Sequence, residues 1–167
     1  MLILILVATV GLRLWSVERD RRLWAASLSE LDAEIVGHDY LLYVRYPGRD
    51  QQLHTADDRI GTRDLFVPSG ARVRVQLRSL DYIYLIEVPE LGIYDVAAPE
   101  LKFEVTFVAP ESGIHELLGS QMCGYDHNSL LGKLRVQSAD EFVRTMERLS
   151  VAPPDDSVPP IHSNEQP

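Results

Sequence analysis

The sequence predicts an all-β domain, a β-sandwich, preceded by a membrane helix and closed by a short helix. Three observations predict it. Between Gly37 and Gln137 apolar residues recur with period two, in short runs separated by turns rich in Pro and Gly. Ahead of that region, residues 1–15 are apolar except for Arg13. Behind it, Ser138-Ala-Asp-Glu141 forms a capping box that opens an amphipathic stretch running to about Leu149.

Taken in order, residues 1–17 read as a membrane anchor. A spanning helix needs about 20 residues, and this run is short, but Arg13 can snorkel and the helix can continue through Val17. A signal peptide and a buried soluble helix are the competing readings. The first lacks a basic region before the apolar run and a clear small-residue cleavage site. Arg19, Arg21 and Arg22 follow the run, and the positive-inside rule taken alone places them in the cytoplasm, a local charge bias that a whole translocated domain can override. Residues 18–36 are polar with Leu23, Leu28 and Leu31 interspersed, and read as a juxtamembrane helix and linker.

From Gly37 strands are expected over residues 40–46, closed by Pro47-Gly48, and over 65–67, ended by Pro68-Ser-Gly70. Residues 51–64 between them are polar and read as a loop. Residues 72–78 place Val73, Val75 and Leu77 on one face and Arg72, Arg74, Gln76 and Arg78 on the other, so one face is buried and the arginines form a solvated face. Further strands are expected over 82–88 and 102–108, with a turn at 110–113. Short strands at this spacing indicate a β-sandwich. Residues 150–167 carry Pro-Pro twice and little that is apolar, and read as a disordered tail.

The chain has 167 residues and a formal net charge of −9, which argues against a nucleic-acid partner and suits a basic protein partner. A single cysteine excludes an internal disulfide. No Gly-rich phosphate loop, HExxH helix or nucleophile elbow is present. Ser129 and Asp126 flank His127, but adjacency in sequence is not triad geometry. His38, His54 and His162 read as surface histidines, and Asp57-Asp58 as solvated loop rather than a metal pair.

The candidate site is the stretch 119–131. It holds the one cysteine, Cys123, with His127 close behind, between strand-like runs at 114–118 and 133–137. A Cys and a His on a loop between strands can present soft ligands to copper. The plain alternative makes Cys123 a small buried hydrophobe and His127 a hydrogen-bonded loop residue.

This stretch resembles the copper-A loop of cytochrome c oxidase subunit II, whose pattern is Cys-x-Glu-x-Cys-x-x-x-His-x-x-Met. On that pattern Cys123 takes the second cysteine and His127 the histidine, while Gly119, Gln121 and Leu130 stand at the first cysteine, the glutamate and the methionine. The resemblance extends through the body of the chain. His38-Asp-Tyr-Leu-Leu-Tyr-Val-Arg-Tyr-Pro-Gly48 is similar to the family's aromatic strand, where electrons enter from cytochrome c, with Tyr40 and Tyr43 kept and the tryptophans missing. Leu65-Phe-Val-Pro-Ser-Gly70 and Ser79-Leu-Asp-Tyr-Ile-Tyr-Leu-Ile-Glu-Val-Pro89 match two further family segments, and in the second Tyr84 stands where the family has a ligand histidine.

The resemblance implies a Greek-key, cupredoxin-like subunit II domain over residues 37–149, on the extracytoplasmic, periplasmic side of a single-pass membrane anchor. It implies haem–copper oxidase subunit I as partner, and leaves a c-type cytochrome and a quinol as the two alternatives for the electron donor. A dinuclear copper centre in that family uses two bridging thiolates, and one cysteine cannot build that core. Cys123 and His127 are then remnant copper ligand positions, no residue is catalytic, the subunit is structural, and no cofactor is expected, a mononuclear copper on Cys123 and His127 being the alternative. If the loop keeps the family backbone, Tyr84→His, Gly119→Cys and Leu130→Met would restore the side-chain ligands. The alternatives are a stand-alone extracytoplasmic binding or copper-handling module, and a subunit II of the quinol-oxidase type.

Overall fold

The computed structural model of the protein describes residues 28–122, 127–153 and 158. Strands β1 (Glu30–His38), β2 (Leu41–Tyr46), β3 (Arg59–Thr62), β5 (Arg72–Ser79), β8 (Phe103–Val108) and β11 (Ser150–Val151) form one sheet in the order β11-β3-β2-β1-β5-β8. Strands β4 (Leu65–Pro68), β6 (Tyr84–Val88), β7 (Ile93–Ala97), β9 (Gly113–Gln121) and β10 (Leu131–Gln137) form the second, in the order β4-β10-β9-β6-β7. The chain passes repeatedly from one sheet to the other, as a Greek-key sandwich requires. Most neighbours are antiparallel, but β1 runs parallel to β5 and β4 parallel to β10.

The alternation in β5 does what its pattern predicts: Val73, Val75 and Leu77 are buried in the core between the sheets. Ile35, Leu42, Val44, Tyr84, Ile86, Leu117 and Leu134 meet them there. Helix α1 (Ala139–Arg148) begins at the expected capping box, with Ser138 and Glu141 each bonding the other's backbone N–H. Its Phe142, Val143 and Met146 seal one end of the sandwich, and the Phe142 ring meets Tyr46 edge-on.

Four sequence expectations need correction. The helix-and-linker reading of residues 18–36 fails from Glu30, where β1 starts, and residues 18–27 lie outside the described part. Sitting between β2 and β5, β1 buries side chains on both faces, so Glu34 is as hidden as Ile35 and the period of two is blurred. The polar loop 51–64 contains β3, which pairs with β2. The tail 150–167 is not without structure where it is described: β11 pairs with β3, Ala152 is buried, and Ala152 N–H donates to the Asp58 carbonyl at 2.9 Å. Ala152 joins Val36, Tyr43 and Ile60 in a second apolar cluster on the outer face of the first sheet, and Val158 packs against it.

The last correction concerns charge. The arginine face of β5 is not uniformly solvated, since Arg78 Nε donates to Glu34 Oε1 at 3.1 Å while Arg74 pairs with Asp32 in the open. Asp58 is fully buried rather than a solvated loop residue. Arg45 Nη1 donates to Asp58 Oδ2 at 3.2 Å and to the Pro153 carbonyl at 2.7 Å, and its Nε lies 3.8 Å from Glu34. A buried ionic network therefore ties β1, β2, the 51–58 segment and the C-terminal strap together.

Among the described residues no helix is long and apolar enough to cross a membrane. The expected anchor at residues 1–17 lies outside the described residues.

Candidate functional site

The end of the sandwich where β1 turns into β2 gathers the residues that the sequence singles out. The turn is a two-residue loop, with His38 paired to Leu41. Both loop residues are left-handed, Asp39 at φ 50° and Tyr40 at φ 60°. Such a turn needs positive φ at both positions, and a tyrosine there is strained. Side-chain acceptors offset the strain. Asp39 N–H donates to Asp81 Oδ2 at 2.6 Å, and Tyr40 N–H donates to the Tyr84 hydroxyl at 3.2 Å.

Tyr84 stands where the resemblance places a ligand histidine, and it is fully buried. Its hydroxyl donates to Asp81 Oδ1 at 2.8 Å. Its ring lies on the β1 backbone so closely that a Cβ on Gly37 would come within 2.3 Å of Tyr84 Cδ2. Only glycine fits there, which accounts for the Gly at the core of a central strand. Burial raises the Tyr84 pKa above its ordinary value, and the neighbouring Asp81 charge adds to the rise.

Asp81 is the hub of this end. Beyond the Asp39 N–H and the Tyr84 hydroxyl it accepts the Tyr82 N–H at 2.7 Å, and His38 Nδ1 lies 3.5 Å away. Ser79 Oγ accepts the Asp81 N–H, fixing the loop between β5 and β6. His38 is thus not a plain surface histidine. Burial works against the Asp81 charge, but the hydrogen bonds from Asp39, Tyr82 and Tyr84 outweigh it and lower its pKa. A carboxyl depressed in the folded state contributes stability above its unfolded pKa, about 3.9, and loses it as pH falls through the folded value. Acid titration followed by near-ultraviolet circular dichroism is expected to show the tyrosine signal collapsing below about pH 4, with that component missing in Asp81→Asn. The same acid limb in both proteins would contradict the hub.

Met122 and residues 127–130, between β9 and β10, also meet this end. Met122 N–H donates to the Ile83 carbonyl, and Ser129 Oγ donates to the Tyr40 carbonyl at 2.6 Å. His127 is half-buried, its ring 4.3 Å from that of Tyr40. Cys123 lies outside the described residues. Gly119 and Leu130 are brought together, but not as a vacancy. A Cβ on Gly119 would meet the Leu130 carbonyl oxygen at 2.7 Å and Leu42 Cδ1 at 3.0 Å, and Leu130 itself is fully buried. The expected restoration of ligands through Gly119→Cys meets an obstacle here: the room for that side chain is filled. In the sequence Asp81 is one member of the segment 79–89. Its spacing from Ser79 marks a side-chain-capped turn and was the available signal.

A dinuclear copper centre does not fit these residues. The chain has one thiol, the Tyr84 hydroxyl is committed to Asp81, and Leu130 has no donor atom. Among the described residues there is no group of three or more His, Cys, Asp or Glu placed to hold a metal.

The two-sheet sandwich with its loops gathered at one end is a cupredoxin-type domain. The periplasmic domain of cytochrome oxidase subunit II from Bradyrhizobium japonicum superposes with a TM-score of 0.56 at 25% identity, over 71% of this chain and 94% of that one. The chain carries a domain like that of cytochrome c oxidase subunit II. Its sequence is 24% identical over 139 residues to the alternative cytochrome c oxidase subunit 2 of Bradyrhizobium diazoefficiens, 70% of this chain and 50% of that protein. It is 23% identical over 128 residues to cytochrome c oxidase subunit 2 of Cyanidium caldarium, 75% of this chain and 50% of that protein. The chain thus spans half the length of either relative. No family model matches it.

Proposed function

We propose that the chain is a structural, subunit II-like component of a haem–copper oxidase, docked on subunit I and carrying no working copper-A centre. Residues 1–17 anchor it, and the β-domain lies on the extracytoplasmic side, as in the relative whose periplasmic domain it resembles. The observation that carries this reading is the end of the sandwich. There the subunit II frame is kept, while the Tyr84–Asp81 hub and the Leu130–Gly119 contact occupy ligand positions. Copper-A's task of tying several loops together falls to hydrogen bonds: Asp81 and Tyr84 join the β1–β2 turn to the β5–β6 loop, and Ser129 brings in the loop before β10.

Two experiments test the reading. Affinity purification of the tagged chain from its native membrane, in mild detergent, is expected to recover a haem protein. Recovery as a lone monomer would contradict the partner. Protease added outside intact spheroplasts is expected to remove the β-domain, and protection until lysis would contradict the topology.

A further inference from the structure

Three tyrosine rings and an imidazole form a continuous chain at the ligand end. Tyr84 and Tyr82 meet edge-on with centroids 6.4 Å apart, Tyr82 stacks on Tyr40 at 5.1 Å, and Tyr40 meets His127 at 4.3 Å. The inner member, Tyr84, is fully buried, and Tyr82 is 43% exposed. At the buried end the phenol O–H points at a carboxylate oxygen 2.8 Å away. A phenol in this setting can lose an electron without leaving a buried cation, because its proton has somewhere to go. Tyr46, equally buried, lacks this arrangement: its hydroxyl accepts the Phe66 backbone N–H at 2.7 Å.

The geometry points to Tyr84 as a one-electron redox site, with Asp81 as its proton acceptor and the Tyr82–Tyr40 stack as the route to the surface. The oxidant is a one-electron outer-sphere acceptor, the oxidised metal complex of a partner or a reagent of that class. On oxidation one electron leaves the Tyr84 ring through Tyr82 and reduces the acceptor by one unit. The Tyr84 O–H bond breaks, and its proton moves to Asp81 Oδ1. The products are a neutral tyrosyl radical, a neutral carboxylic acid and the reduced acceptor. Return of the electron reverses each change, so the pair cycles without net consumption. The inference does not depend on the oxidase assignment, because the oxidant in the test is supplied.

The test is laser flash–quench oxidation of the full chain in detergent by photogenerated ruthenium(III) tris(bipyridine), with tyrosyl radical followed by transient absorption and freeze-trapped paramagnetic resonance. The expected result is a long-lived radical that is lost in Tyr84→Phe and forms with a solvent deuterium isotope effect that Asp81→Asn abolishes. Tyr82→Phe, a change at an exposed ring, is expected to slow radical formation while leaving its spectrum unchanged. A radical of unchanged yield and lifetime in folded Tyr84→Phe would overturn the assignment. Should Tyr84→Phe fail to fold, an unchanged formation rate in Tyr82→Phe would overturn it equally.

Discussion

Replacing Arg45 with alanine is expected to destabilise the domain by about 3–5 kcal/mol, the range for breaking a buried ion pair from one side. Arg45 is 1% exposed and stands between Glu34 and Asp58, which are equally buried. Its guanidinium also holds the Pro153 carbonyl, so the substitution removes the tether of the C-terminal strap along with the charge balance. Two carboxylates would be left in a low-dielectric site, with Arg78 serving Glu34 from one side. Desolvation of such charges is the dominant cost, and the loss of packing along the arginine stem adds to it. Urea unfolding of Arg45→Ala against the parent gives the difference directly. Glu34→Gln with Asp58→Asn in the Arg45→Met background is expected to recover much of the loss, since it removes the orphaned charges. A change within about 0.5 kcal/mol for Arg45→Ala, the scale of an ordinary surface substitution, would mean that the network contributes little.

Introducing the first missing thiol, Gly119→Cys, is expected to cost about 1–3 kcal/mol, the usual penalty of overpacking. The new Cβ would meet a backbone carbonyl, that of Leu130, rather than the yielding end of a side chain. Adding Tyr84→His and Leu130→Met supplies donor atoms but takes the Tyr84 hydroxyl away from Asp81 and Tyr40 N–H, loosening the strained β1–β2 turn. The triple variant is therefore expected to be less stable than the parent and to give no mixed-valence copper spectrum. A stable, purple triple variant would show that Leu130 can retreat and that the ligand room is latent after all. Thermal unfolding with and without copper measures both outcomes.

Much of this architecture was legible because single faces of single strands are buried. β5 has Val73, Val75 and Leu77 inward with polar residues between, and the strand appears where the alternation begins. The Ser138 capping box located the start of α1 to the residue. β1 was hidden because its outward Glu34 is buried by a network made of residues distant in sequence: Arg45, Asp58, Arg78 and Pro153. Local pattern cannot announce such a partner set, and a Glu flanked by apolar residues reads as helix or linker. The same holds for β11, a two-residue strand whose place depends on the free edge of β3. At the ligand end, the substitutions at Gly119, Tyr84 and Leu130 were plain in the sequence, but their consequence was not. Whether a lost ligand leaves a hole or a packed contact depends on a backbone carbonyl that the sequence does not display.

We propose that hydrogen bonds, not copper, hold the ligand end of this subunit II-like domain. Copper loading of the purified full chain under reducing conditions, followed by dialysis, metal analysis and paramagnetic resonance, tests this. The expected result is no retained dinuclear copper, no mixed-valence signal, and a melting curve that copper and chelator leave unchanged. A purple protein with a mixed-valence signal, stabilised by the metal, would contradict it.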